Sequence, residues 1–180
     1  INTVSSVVKK AAKDGMGAIG LTDNNGLFGS LSFYKEARKN GLKPIIGLDV
    51  TIGQEDGNHY QLTLLAKNNS GYRKLIELNS KSYTENRTHN KVSAKEEWLA
   101  DLEDVIVLSG GKQGLIGKYI LEGNLEDAKL VAQQMKDFFG DNFYIELQRD
   151  GTPEESQYMD GAVQICSDLQ IAPVATHPTY

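Results

Sequence analysis

The sequence predicts an α/β fold whose strands form a mainly parallel sheet or barrel. Two short apolar runs, at 18–22 and 44–48, are each followed by a carboxylate, Asp23 and Asp49. A glycine-rich turn and a helical pattern closed by Gly41 separate them, as in a βαβ unit whose crossover helix joins two parallel strands. Strands then keep alternating with helices to the end of the chain, which favours a parallel sheet.

The helices are predicted from apolar residues that recur every three or four positions. In the first helix, Val4, Val8 and Ala11 form the apolar stripe, and Gly15 stands where a C-terminal glycine cap is expected. Pro153 marks the start of the last helix, because proline fits the first helical turn. Helices are predicted near 4–12, 30–40, 70–82, 96–99, 116–121, 125–139 and 153–169.

The strands are predicted from short apolar or alternating runs bounded by turn residues. The residue before a proline avoids the α region, so Lys43 and Pro44 predict that the chain is extended where the second strand begins. The polar segment 53–58 predicts a hairpin loop, and segment 83–95 predicts a surface loop because it is almost free of aliphatic residues. Strands are predicted at 18–22, 44–48, 50–52, 59–65, 105–108, 143–147 and 172–176.

Composition limits the kind of protein to which the chain belongs. Its 180 residues fit one domain, and a first residue other than Met indicates a piece of a longer protein. The net charge of −5 argues against a surface whose main role is to bind nucleic acid, because such a surface needs clustered Lys and Arg. One cysteine, Cys166, excludes an internal disulfide and indicates a reducing compartment, so we expect a cytoplasmic location. No run is long enough to span a membrane, and no membrane partner is expected.

Polar residues follow the predicted strands where a βα barrel would place its active-site rim. The C-terminal ends of parallel strands meet at one edge, so residues distant in sequence would converge there. The alternative is that Asp and Asn at these positions only cap helices or shape turns. The residues concerned are Asp23, Asn24, Asp49, Ser109, Gln148, Asp150, Thr176 and His177.

Two other features are weaker candidates for a binding site. His177 is the one histidine at a predicted strand end, and no second histidine lies near it to complete a metal pair. His59 and His89 fall in polar segments and are expected at the surface. The turn 110–112 lacks the full Gly-Lys-Ser/Thr phosphate-binding signature, so a tight turn is expected.

Several motifs occur in an order that is specific to one family. They lie at 21–29, 33–35, 43–50, 64–68, 108–110, 143–148 and 174–176. On these residues the chain resembles the polymerase and histidinol phosphatase (PHP) domain at the N-terminus of the bacterial DNA polymerase III alpha subunit. The resemblance implies a distorted (β/α)7 TIM-like barrel. Residues 1–180 would then be a single PHP domain fragment, truncated at both ends.

The resemblance also identifies the metal-site positions. Family members that keep the site hold a cluster of metal ions, usually zinc, and some show 3′–5′ exonuclease or phosphoesterase activity. Here Asn24 stands where the family has His, Gly111 where it has Cys, and Asp150 where it has His. The vestigial metal-site positions implied by the resemblance are Asp23, Asn24, Asp49, Gly111, Asp150, Pro178 and Tyr180.

Three functional hypotheses remain open. Loss of imidazole and thiolate donors removes most of a zinc ligand field, so the first hypothesis is a non-catalytic domain without a cofactor of its own. By resemblance it would act as a scaffold for the rest of the polymerase chain, the proofreading exonuclease subunit and other replisome subunits. DNA and Mg²⁺ would then be bound by the parent polymerase. The second hypothesis is a metal-dependent 3′–5′ exonuclease or phosphoesterase that uses Zn²⁺ or Mn²⁺ on Asp23, Asp49, Asp150 and His177. The third is a free-standing phosphatase or regulatory protein of the same superfamily.

Overall fold

The computed structural model describes residues 3–54, 57–88 and 91–176. The chain forms two compact units, one from residues 1–50 and 64–105 and the other from residues 51–63 and 106–180. Helices alternate with mostly parallel strands in both, which confirms the predicted α/β class. In the described part of the chain, no helix is both long enough and apolar enough to cross a bilayer.

The first unit contains the βαβ arrangement that the opening motif predicts. Its leading elements are α1 (Val4–Lys13), β1 (Ala18–Asn24), α2 (Ser30–Lys39), most of β2 (Lys43–Gly53) and α3 (Asn69–Glu85). The end of β2 and most of β3 (His59–Ala66) belong to the second unit. β1 and β2 pair in parallel, with Ala18 beside Lys43 and Asn24 beside Asp49. β2 lies between β1 and β3.

Helices α1 and α2 bury a shared apolar cluster. Val8 and Ala11 of α1 pack with Phe33 and Ala37 of α2 and with Leu42. Full burial of a large apolar side chain stabilises the fold by about 1.5–3 kcal/mol, so this cluster holds the helix pair in place. Leu21 of β1 packs against the same cluster and fixes the side of the strand that faces the helices.

The segment predicted as a surface loop is partly structured. It contains the end of α3 and three two-residue strands, β4 (Arg87–Thr88), β5 (Lys91–Val92) and β6 (Ala94–Lys95). β4 pairs with β5, and β6 pairs with β2. The Asn86 side-chain amide donates to the Ser93 carbonyl over 3.1 Å. The loop prediction was wrong here because polar contacts support the backbone where aliphatic residues are absent. A 3₁₀ helix, Glu96–Asp101, follows and buries Trp98.

The second unit repeats the strand-then-helix order. Its elements are β7 (Val105–Leu108), α4 (Leu115–Leu121), α5 (Leu125–Phe139), β8 (Phe143–Gln148), α6 (Glu155–Leu169) and β9 (Pro173–Thr176). β8 is parallel to both β7 and β9. Helix α5 has the predicted bounds. The C-terminal ends of β7, β8 and β9 therefore lie along one edge, and that edge carries those predicted site residues of this unit that the structure describes.

Candidate functional site

In the first unit, Asn24 and Asp49 lie side by side at the ends of two parallel strands. Side chains alternate faces along a strand, so Thr22 and Asn24 share the face of Asp49. The Thr22 hydroxyl donates to Asp49 Oδ2 over 3.1 Å, which confirms that the two residues share a face. The Asn24 side-chain oxygen accepts a hydrogen bond from the Asn25 amide over 2.8 Å. This face therefore carries one carboxylate, one amide and one hydroxyl.

The carboxylate of Asp23 forms a hydrogen bond with the backbone just before the next helix, α2. Its Oδ2 atom accepts the backbone N–H of Gly29, the residue before α2, over 2.8 Å. A Cβ added at Gly29 would lie 3.1 Å from both Asp23 Oδ2 and Leu21 Cδ2, so these two side chains lie together near the helix. Asp23 thus shares the helix-facing side of β1 with Leu21, and neighbouring positions on a strand alternate. The structure therefore places Asp23 and Asp49 on opposite faces of the β1–β2 pair.

In the second unit, three predicted rim residues meet around a buried carboxylate, that of Glu146. Ser109 Oγ accepts the Glu146 backbone N–H over 3.0 Å. The Thr176 hydroxyl donates to Glu146 Oε1 over 2.9 Å, and the Gln148 amide donates to Thr176 Oγ1 over 3.1 Å. The ends of β7, β8 and β9 are therefore joined by one hydrogen-bonded network.

Glu146 is a residue that the sequence analysis missed as a site residue. It is only 3% exposed, and its Oε2 atom accepts the Gly110 N–H over 2.7 Å. The Tyr158 hydroxyl donates to the Glu146 carbonyl oxygen. Burial and, secondly, the charge of Glu146 raise the pKa of Tyr158, so the phenol stays protonated and remains a donor. The signal in the sequence was a charged residue between Ile145 and Leu147 inside an apolar strand.

Gly111, the position of the family's cysteine, is filled from outside by Gln148. Gly111 is buried and has a φ of +58°, a left-handed conformation that favours glycine. A Cβ added there would lie within 2.8 Å of three atoms of the Gln148 side-chain amide. The space beside Gly111 that a side chain would need is thus occupied by an amide.

Asp150 forms an ion pair with Lys112, another residue that the sequence analysis did not assign to the site. Their side chains are only 18% and 16% exposed. Asp150 Oδ1 also accepts the Thr152 hydroxyl over 2.8 Å and the Thr152 N–H over 3.1 Å. The hydrogen bonds from Lys112 and then from Thr152 lower the pKa of Asp150 from 3.8 to about 2, so it is a carboxylate at neutral pH.

These donors do not fit a zinc cluster. Zinc sites in proteins use mainly thiolate and imidazole ligands. Across residues 3–54, 57–88 and 91–176, no group of three or more His, Cys, Asp or Glu side chains is arranged to hold a metal ion. Three predicted positions, His177, Pro178 and Tyr180, lie outside the described residues.

Comparisons with known sequences agree with the resemblance. Residues 1–150 match the sequence model of the PHP domain family. The chain is 39% identical to the DNA polymerase III subunit alpha of Haemophilus influenzae, over 97% of this chain and 15% of that protein. It is 39% identical to the corresponding subunit of Vibrio cholerae, over 98% of this chain and 16% of that protein. The chain thus spans about one sixth of the length of these relatives.

Comparisons with solved structures concern the fold. A candidate metal-dependent phosphoesterase from Bifidobacterium adolescentis superposes with a TM-score of 0.61 at 10% identity, covering 97% of this chain and 81% of that chain. An amidohydrolase from Chromobacterium violaceum gives a TM-score of 0.60 at 10% identity, covering 98% of this chain and 83% of that chain. Together with the family match, these likenesses confirm the predicted TIM-like fold class.

Proposed function

Because the chain belongs to the PHP domain family, we propose that it is the PHP domain of a DNA polymerase III alpha subunit and acts there as a non-catalytic scaffold. The polymerase assignment rests on 39% identity to alpha subunits over nearly the whole chain. The parent protein would then be a DNA-directed DNA polymerase of bacterial replication. Its Mg²⁺-dependent nucleotidyl transfer and its DNA contacts would reside outside these residues.

The remaining carboxylates interact with other groups of the protein, which supports the proposal that the domain is non-catalytic. Metal-dependent hydrolysis needs a metal that acidifies a bound water, and such a metal needs donors free to bind it. Asp150 is engaged by an ammonium, and Asp23 accepts a backbone N–H on the helix side of its strand. Gly111 carries no donor atom, and an amide fills the space beside it. We derive no hydrolytic step from this set of residues.

Metal analysis with a nuclease assay tests this part. We expect the purified full-length protein to hold no stoichiometric zinc or manganese. We also expect any cleavage of 3′-ended DNA to be unchanged in Asp150→Ala. Asp168→Ala is the matched control, because Asp168 is paired with Lys129 over 2.9 Å in the same unit. Stoichiometric metal, with cleavage lost in Asp150→Ala and kept in Asp168→Ala, would establish the exonuclease or phosphoesterase alternative instead.

The scaffold role predicts a binding surface for the proofreading exonuclease subunit, and the first unit offers a candidate. Phe28 is 85% exposed just before α2, and Leu31 and Tyr34 are 65% and 48% exposed one helical turn apart on α2. Exposed large apolar side chains that lie close together favour protein contacts. In a pull-down with the exonuclease subunit, Leu31→Asp should reduce capture. Leu130→Asp, a similarly exposed leucine on α5, should leave it unchanged. Equal capture by wild type and Leu31→Asp would exclude this surface, and no capture by folded wild-type protein would count against the scaffold role.

A further inference from the structure

A cleft of about 310 Å³, lined by polar residue types, opens in the second unit beside the Lys112–Asp150 ion pair. Two strands of the hairpin form one side of it, and the other side is formed by the 3₁₀ helix Gly111–Gln113 together with α4. Its volume is at the lower end of the range for small-molecule sites, about 300–1,000 Å³. The lining residues are Thr51, His59, Tyr60, Gln61, Lys112, Gln113 and Lys118.

The charge of the lining is opposite to that of the unit around it. The sequence of the second unit contains thirteen Asp and Glu but only five Lys and Arg. Two of those five, Lys112 and Lys118, line the cleft, and no acidic residue is among the described residues that line it. Basic residues are therefore concentrated in this cleft within a unit that otherwise repels anions.

The two ammonium groups are held by different partners. Lys112 is paired with Asp150, so its charge is largely neutralised. The Lys118 ammonium donates to the His59 carbonyl oxygen. An ammonium has three N–H donors, so this bond anchors Lys118 and leaves it able to donate to a ligand. Among the residues that the structure describes, Lys118 has no ion-pair partner.

We propose that this cleft binds the phosphate group of a small phosphate ester. Lysine binds phosphate as a point charge, and charge-assisted hydrogen bonds are about twice as strong as neutral ones. Lys118 supplies the charge, and Gln113 and Gln61, two residues with amide donors in their side chains, also line the cleft. The cleft has room for more than a bare ion, so an ester such as a nucleoside monophosphate is the ligand class. This inference does not depend on the proposed function.

Ligand-observed ³¹P NMR on the full-length protein tests the proposal with two probes, inorganic phosphate and deoxyadenosine monophosphate. Deoxyadenosine, which lacks the phosphate, serves as a competitor. We expect the monophosphate to bind and deoxyadenosine not to compete. Binding should weaken as salt is added, because salt screens the charge. Lys118→Gln should weaken binding about tenfold or more, since a charge-assisted hydrogen bond is lost.

Control variants outside the cleft distinguish a loss of binding at the cleft from a general effect of the change in charge. Lys136→Gln is the control for Lys118→Gln, because Lys136 also donates to a backbone carbonyl, that of Leu169, but does not line the cleft. If Lys118→Gln fails to fold, Gln113→Glu replaces it, because Gln113 is exposed and a carboxylate there would repel phosphate. Gln164→Glu on α6 is the control for that variant.

Each outcome bears on the proposal. Binding of both probes that falls in the cleft variants and stays in the controls supports a phosphate site. Tighter binding of the monophosphate than of inorganic phosphate supports an ester as the ligand. Binding of inorganic phosphate alone would overturn the ester class. Absence of binding, or equal losses in cleft and control variants, would overturn the site itself.

Discussion

Substitution of Gly111 by alanine tests how tightly the space beside this residue, which by resemblance corresponds to a cysteine ligand, is filled. A residue with a Cβ in the left-handed conformation costs about 1–2 kcal/mol. The new Cβ would also displace the Gln148 amide and break its hydrogen bond to Thr176, at about 0.5–1.5 kcal/mol. We therefore expect Gly111→Ala to lower the free energy of unfolding by about 1.5–3.5 kcal/mol. Urea unfolding followed by circular dichroism measures this loss.

A second glycine in the same unit provides the control. Gly123 has a φ of +78°, and a Cβ added there meets nothing within 4 Å. Gly123→Ala should therefore cost only the backbone term, about 1–2 kcal/mol. In a Gln148→Ala background, Gly111→Ala should cost no more than Gly123→Ala does, because the clash is gone. If Gly111→Ala costs no more than Gly123→Ala in the wild-type background, Gln148 does not fill this space.

Three further variants test the network at the strand ends. The pKa of Asp150 is lowered from 3.8 to about 2 in the folded protein, so its stabilising effect is complete only above about pH 5 and is lost as the pH falls towards 2. The gap in melting temperature between wild type and Asp150→Asn should therefore narrow as the pH falls from about 5, roughly one unit above the ordinary pKa, to about 2; a constant gap would contradict the ion pair. Tyr158→Phe should lower the free energy of unfolding by about 1–3 kcal/mol in urea titrations, because it leaves the buried Glu146 carbonyl without its donor. Glu146→Gln should cost a similar amount, because an amide has one acceptor oxygen and cannot replace both carboxylate oxygens that accept from the Gly110 N–H and the Thr176 hydroxyl; no loss in either variant would show that the network is dispensable.

Most of the fold could be predicted because its signals are local. The βαβ unit follows from two apolar runs, a glycine-rich turn and a proline, and each of these acts within a few residues. Helix α5 begins after Asn124, whose side chain accepts the Asp127 N–H, and its predicted bounds agree with the structure. The segment 83–95 escaped prediction because its strands depend on partners elsewhere, such as the pairing of β6 with β2.

The sequence predicted that the site residues lie at strand ends, but it did not predict which of them contact one another. Periodicity located Ser109, Gln148 and Thr176 at strand ends, and the structure joins them in one network. It could not reveal that this network is built around Glu146. Nor could it foresee the pairing of Lys112 with Asp150, which lies thirty-eight positions away in the sequence. The sequence also could not show on which face of the sheet each side chain lies. Only the register of β1 against β2 shows that Asp23 and Asp49 point to opposite faces.

The Lys112–Asp150 pair gives a physical reason why a degenerate site of this kind can persist in a fold. By resemblance, Asp150 replaces a neutral histidine, which adds a negative charge to a rim of the second unit that already holds Glu146. The ammonium of Lys112 compensates that charge within the protein, so no metal ion is needed to balance it. An ammonium, however, cannot bind a water molecule as a Lewis acid and lower its pKa. Under the proposed non-catalytic function, the exchange that balances the charge of this rim would also be the exchange that removes metal-dependent hydrolysis from it.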